Sequence, residues 1–215
     1  MSWQFLSHRA VASALPRMCG RLPGILSSIH SDAVYLTLDD GPVRDTTGLL
    51  LDLLADRSAH ATFFLLGERV LANPQVARRI LRAGHGIGSH GTIHQDPWRQ
   101  SAAEAVENLR TGTDQLEQTL GIHVTHVRPP FGHLRPATWH WTRETRRSMT
   151  LWSHMTADYH RHATPRLVAE SVRRIPGGSI LVGHDSAPDA IANITEIVAT
   201  LIQEGRALEP LPDKG

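Results

Sequence analysis

From residue 33 onward the chain alternates between two apolar periodicities, and no other feature limits its fold as strongly. Short β-branched, aliphatic and aromatic runs occur at 33–38, 60–66, 85–89, 123–127, 149–153 and 179–182, with a last short run at 207–211. Between them lie segments with apolar residues at helical spacing, at 46–56, 68–83, 102–120, 136–147, 165–174 and 191–204. Their boundaries carry the expected chemistry: Thr46 or Thr47 as a cap, Pro74 starting a second helix within 68–83, and Gly84, Gly121 and Gly205 as helix ends. About seven strand–helix units in succession predict an α/β chain, a parallel sheet covered by helices. A chain of 215 residues makes one such domain, and both a closed or nearly closed barrel and an open doubly wound sheet accommodate it.

The first 30 residues break this pattern. Arg9, Arg17 and Arg21 surround a mild apolar stretch at 10–15, short for the ~7–15-residue core of a secretory signal. The expectation is an N-terminal arm or short helices at 1–30, packed on a functional domain at 31–215. No run of ~18 apolar residues occurs, so no transmembrane helix is expected. The 22 Lys and Arg nearly balance the 21 Asp and Glu, which removes the electrostatic case for nucleic acid or an anionic membrane as partner. Cys19 is the single cysteine, so an internal disulfide and a Cys-rich metal site are excluded.

Function is written in where the polar residues fall. Asp39, Asp40, His90, His94, Arg128, Asp158 and His184 all sit at, or just past, the C-terminal ends of predicted strands. In parallel α/β folds that edge is where sites are assembled. Adjacent carboxylates leaving a buried strand raise each other's pKa, and a metal ion relieves the cost; Asp-Asp-Gly alone reads equally well as a turn with a solvated neighbour. His90 and His94, four apart, would face one way on a helical turn. Together with one Asp they would make three N/O ligands and leave a position open, the form of a catalytic zinc site. With 14 histidines in the chain, spacing alone is weak. Arg128-Pro129-Pro130 fixes an extended path and removes amide donors, leaving those of Phe131 and Gly132. Asp158 beside His184 would raise the imidazole pKa.

Taken together, these segments resemble the polysaccharide deacetylase family (NodB homology, carbohydrate esterase family 4), from about residue 33 to the C-terminus. Thr37-Leu38-Asp39-Asp40-Gly41-Pro42, His90-Gly91-Thr92-Ile93-His94, Arg128-Pro129-Pro130-Phe131-Gly132, Asp158-Tyr159 and Val182-Gly183-His184 match its five motifs in order. Ala61-Thr62-Phe63-Phe64 and Gly84-His85 match their surroundings. The resemblance implies a distorted, incomplete (β/α)7 barrel and a deacetylase of N-acetylated amino-sugar polymers or oligomers. Asp40, His90 and His94 would bind Zn2+, or Co2+, Ni2+ or Mn2+. Asp39 would be the general base, oriented by Arg128. The Phe131 amide would help stabilise the oxyanion. His184, charged through Asp158, would protonate the departing amine. Tyr159 and Val182 would line the acetyl pocket.

Several positions depart from the family pattern. Leu38 stands where Phe is common, Gly91 where Ser or Thr is usual, Met155 for an Asp, Tyr159 for Trp and Val182 for Leu. Loss of the hydroxyl at Gly91 predicts a less braced loop and weaker metal binding. Two other readings stay open: a metal-bearing saccharide-binding homologue, and a hydrolase of another acyl group such as O-acetyl xylan or an acetylated polyamine. Trp98 and Trp139 are candidates for stacking on sugar rings, with ordinary packing the alternative. The family often works at the cell envelope, while no clear signal is visible at 1–30 and a cytoplasmic setting also fits.

Overall fold

The computed structural model describes residues 13, 14 and 16–213. Of the expected N-terminal arm at 1–30, residues 1–12 and 15 lie outside them. Eight strands, β1 (Ile25–Leu26), β2 (Tyr35–Gly41), β3 (Thr62–Leu65), β4 (Gly86–Ser89), β5 (His126–Val127), β6 (Ser148–Thr150), β7 (His154–Met155) and β8 (Ile180–His184), form one parallel sheet in the order β1-β6-β5-β4-β3-β2-β8-β7. The covering helices are α1 (Thr46–Ala55), α2 (Gly67–Ala72), α3 (Pro74–Arg82), α4 (Ala102–Leu120), α5 (Pro136–Glu144), α6 (Pro165–Ser171) and α7 (Ala190–Gln203). Among the described residues no helix is long and apolar enough to cross a membrane.

The sheet curls into an incomplete barrel because of one short connection. β6 and β7 lie near opposite ends of the strand order, yet only residues 151–153 join them. A chain covers at most ~3.5 Å per residue, so the two ends of the sheet must approach one another. The expected strand at 149–153 holds only as far as Thr150, in β6, which pairs with β5; β7, just past the expected strand, is an additional strand and pairs with β8. β1, inside the segment expected as arm or helix, pairs with the outer edge of β6. The expected strand at 207–211 reduces to a single bridge between Leu208 and Val34.

Side-chain direction along β2 follows the two-residue period of the pleat, and both faces are buried. On β2 the even residues Leu36 and Leu38 are fully buried in the main apolar core, which also holds Leu50, Leu54, Ile194 and Ile197. Each such side chain contributes roughly 1.5–3 kcal/mol. The odd residues Thr37 and Asp39 point the other way and meet Arg128. The barrel interior is thus polar at its C-terminal end, and the helix-facing shell is apolar.

Candidate metal and catalytic centre

The centre begins with a break in the register of β2. Asp39 pairs with Phe64 and Gly41 with Leu65, so Asp40 is an extra residue on this strand. It takes φ 74°, a left-handed conformation that Asp tolerates better than most residues. Consecutive residues of a strand point to opposite faces; a bulge re-aims one of them. Here both carboxylates reach one cavity.

Asp40 faces two histidines. Its Oδ1 lies 3.6 Å from His90 Nε2 and 3.4 Å from His94 Nε2. One ligand atom from each of the three falls within 4.8 Å of the others, the single such group among the described residues. Two further observations fit a metal ion. Asp40 Oδ1 is buried without a hydrogen-bond partner, an arrangement that is costly unless a cation completes it. His90 Nδ1 donates to the Arg128 carbonyl at 2.8 Å, the tautomer that leaves Nε2 its lone pair. Burial pushes the His90 pKa down despite Asp39 and Asp40, which keeps the ring neutral. Burial raises the Asp40 pKa, but His90, His184 and His94 together bring it below the usual value.

The His90–His94 segment is not the helical turn its spacing suggested. It is an irregular loop with Gly91 at φ 91°, and α4 comes so close that a Cβ on Gly112 would lie 2.1 Å from the Gly91 carbonyl carbon. The bracing hydroxyl absent at Gly91 has a replacement. Asn108, on α4, accepts from the Thr92 and Ile93 amides at 3.0 and 3.1 Å and donates to the Ile93 carbonyl at 3.1 Å. Sequence reasoning passed over Asn108 as one polar residue on an amphipathic helix.

Arg128 is fully buried. Its Nη1 donates to Asp39 Oδ1 at 2.6 Å and to Thr37 Oγ1 at 2.8 Å; Nε and Nη2 donate to the Thr150 and Leu151 carbonyls at 3.1 Å. The guanidinium lies 3.9 Å over the Phe64 ring. Five planar donors in a fixed fork suit such a cage. Asp39 Oδ2 is 3.9 Å from His90 Nε2, on the metal-group side. In the following turn Phe131 takes φ 59°. The Gly132 amide is tied to the Pro129 carbonyl at 3.0 Å, so the expectation that it is free is corrected, and Phe131 is the candidate donor of the pair.

Asp158 and His184 meet as expected. His184 Nδ1 lies 3.0 Å from Asp158 Oδ1, and Asp158 Oδ2 accepts the His184 amide at 2.7 Å. Burial pushes His184 down, but the Asp158 charge and hydrogen bond, with Asp39 and Asp40, raise it to about 9. His184 pairs in register with Asp39. Tyr159 packs edge-on against His184, its hydroxyl 3.2 Å from Met155 Sδ. Val182 and Met155 line the same cavity of about 530 Å³.

Trp98 also lines this cavity, its indole stacked at 3.6 Å on His133, whose Nδ1 bonds Asp96 at 2.7 Å. Trp139 does not: its Nε1 donates to the Pro23 carbonyl at 2.9 Å. Two more polar residues escaped the sequence. Ser186 donates to Asp40 Oδ2 at 2.9 Å, and buried Asp185 accepts from Thr47 at 2.6 Å.

The family model described as polysaccharide deacetylase matches residues 28–149. The chain belongs to the polysaccharide deacetylase family. It is 30% identical over 179 residues to the peptidoglycan-N-acetylmuramic acid deacetylase PdaC of Bacillus subtilis, covering 83% of this chain and 38% of that protein. The chain thus spans about two fifths of that relative's length. It is 29% identical to a peptidoglycan-N-acetylglucosamine deacetylase of Bacillus cereus, over 80% of this chain and 83% of the other. The solved structure of Bacillus subtilis PdaC superposes with a TM-score of 0.76 at 29% identity, over 85% of this chain and 89% of that one. The family membership and the incomplete parallel barrel agree with what the motifs implied.

Proposed function

We propose that this chain is a metal-dependent deacetylase that hydrolyses N-acetyl groups of amino-sugar polymers or oligomers, of the chitooligosaccharide or peptidoglycan type. One observation carries the reading. A partnerless buried Asp40 oxygen between two histidines shares its cavity with a caged carboxylate, Asp39, and a carboxylate-held imidazole, His184. Family membership and the names of the relatives point the same way.

Asp40, His90 and His94 would hold the ion, and zinc suits one carboxylate and two imidazoles with a position left open. When bound, the ion would supply Lewis-acid chemistry that polarises the amide carbonyl and activates water. Asp39, fixed at Oδ1 by Arg128, takes the water proton through Oδ2 as the C–O bond forms. The Phe131 amide donates to the carbonyl oxygen as negative charge develops there. His184 enters as imidazolium and gives its Nε2 proton to the nitrogen as the C–N bond breaks, releasing acetate and the free amine. Asp158 holds Nδ1, so that Nε2 faces the cavity. Tyr159 and Val182 bound the space for the acetyl methyl. The test is metal content together with acetate release from N-acetylglucosamine oligomers, before and after chelation. About one ion per chain, with activity lost to chelator and restored by zinc, is expected. A purified protein that takes up no metal under any condition would overturn the site assignment.

A further inference from the structure

An incomplete barrel has two exposed edges, and edge amides and carbonyls demand partners. In this molecule one segment supplies them. β7 pairs with β8 on one side only, so the Met155 amide points out of the sheet; it donates to Ser13 Oγ at 3.0 Å. Arg17 Nη2 lies 2.7 Å from His154 Nε2. Farther along, β1 takes the outer edge of β6, with Met149 N to Gly24 O at 3.0 Å and Leu151 N to Leu26 O at 2.7 Å. Ile29 N then donates to Gly178 O at 2.9 Å, just before β8. The fit there is close: a Cβ on Gly178, at φ 76°, would sit 1.7 Å from the Ile29 carbonyl oxygen. Ser13, Arg17, Gly24, Leu26 and Ile29 therefore bond β7, β6 and the entry to β8, the elements on both sides of the gap. Between Ser13 and Arg17 lies Pro16, buried and lining the cavity together with Met155, Tyr159 and Val182.

We propose that the described residues 13, 14 and 16–29 are a wall of the catalytic barrel rather than an appendage: they close its seam, and Pro16 bounds the acyl end of the cavity and so limits the acyl group accepted. Only the second half rests on the deacetylase reading.

Two measurements on the full chain test it. In the metal-free protein, Ser13→Ala should speed hydrogen exchange of the Met155 amide by about fivefold or more, the loss of one hydrogen bond, with the amides of β3 unchanged. In the zinc-loaded protein, Pro16→Ala should raise the ratio of kcat/KM for N-propionyl over N-acetyl oligomers by about tenfold, the scale of one methylene in an apolar pocket. Unchanged Met155 exchange overturns the seam closure. An unchanged acyl ratio in an active, folded variant overturns the wall role of Pro16. If the parent protein turns over no N-acyl saccharide at all, the deacetylase reading fails, and the exchange experiment alone decides the seam.

Discussion

Arg128 Nη1 lies 2.6 Å from Asp39 Oδ1, with 0% and 4% of the two side chains exposed. Desolvation offsets much of the attraction in such a buried pair, so it depends on good geometry and on the hydrogen bonds around it. Removing one partner strands the other, at a cost of roughly 3–5 kcal/mol. Asp39 is therefore fixed in orientation, with its other oxygen turned toward the histidines.

Asp39→Asn keeps the shape and removes the proposed base. Turnover should fall by about 10²–10⁴-fold while metal content stays at the parent level, read by acetate release and atomic emission on one preparation. Activity near the parent's would remove Asp39 from the base role.

Asp158→Asn leaves half-buried His184 without its anion. Folded His184 has a pKa raised to about 9, above the ~6.5 of a free imidazole. The pair's contribution to stability is therefore full below pH ~6.5 and is lost as pH rises through about 9. The difference in urea midpoint between parent and variant should be largest near pH 6 and should shrink above pH 9. A difference independent of pH would show that His184 is not the titrating group.

Asn108→Ala removes three hydrogen bonds from the loop that carries His94. Bracing of this kind is worth about 10–100-fold in metal affinity. Competition with a chelator should show that loss, and excess zinc should restore turnover. Parent-like affinity would mean that the loop holds its shape without Asn108.

Trp98 offers one ring face to the cavity, with the other covered by His133. Trp98→Ala should raise KM for oligomers several-fold, ring stacking being worth roughly 0.5–1.5 kcal/mol, and should leave kcat near the parent value. An unchanged KM would return Trp98 to a packing role.

Much of this molecule was legible in its residues. Periodicity located the helices, and Pro74 and Gly121 ended or began them where expected, because capping is a local matter of backbone groups. Five motifs pointed to residues that the fold gathers around one cavity, because a parallel sheet sends every strand end to one edge. What required the fold is everything decided by contacts distant in sequence. The bulge that turns Asp40 beside Asp39 is a register between β2 and β3. The brace at Asn108 depends on how closely Gly112 lets α4 approach Gly91. The separate strand β7 just past the expected one, and the pairing of β1 with β6, follow from closing a curved sheet. Hydrophobic pattern and turn chemistry specify an element and its faces. They do not specify which edge it will meet, since that is set by the whole sheet's curvature and by the need to satisfy each buried polar group.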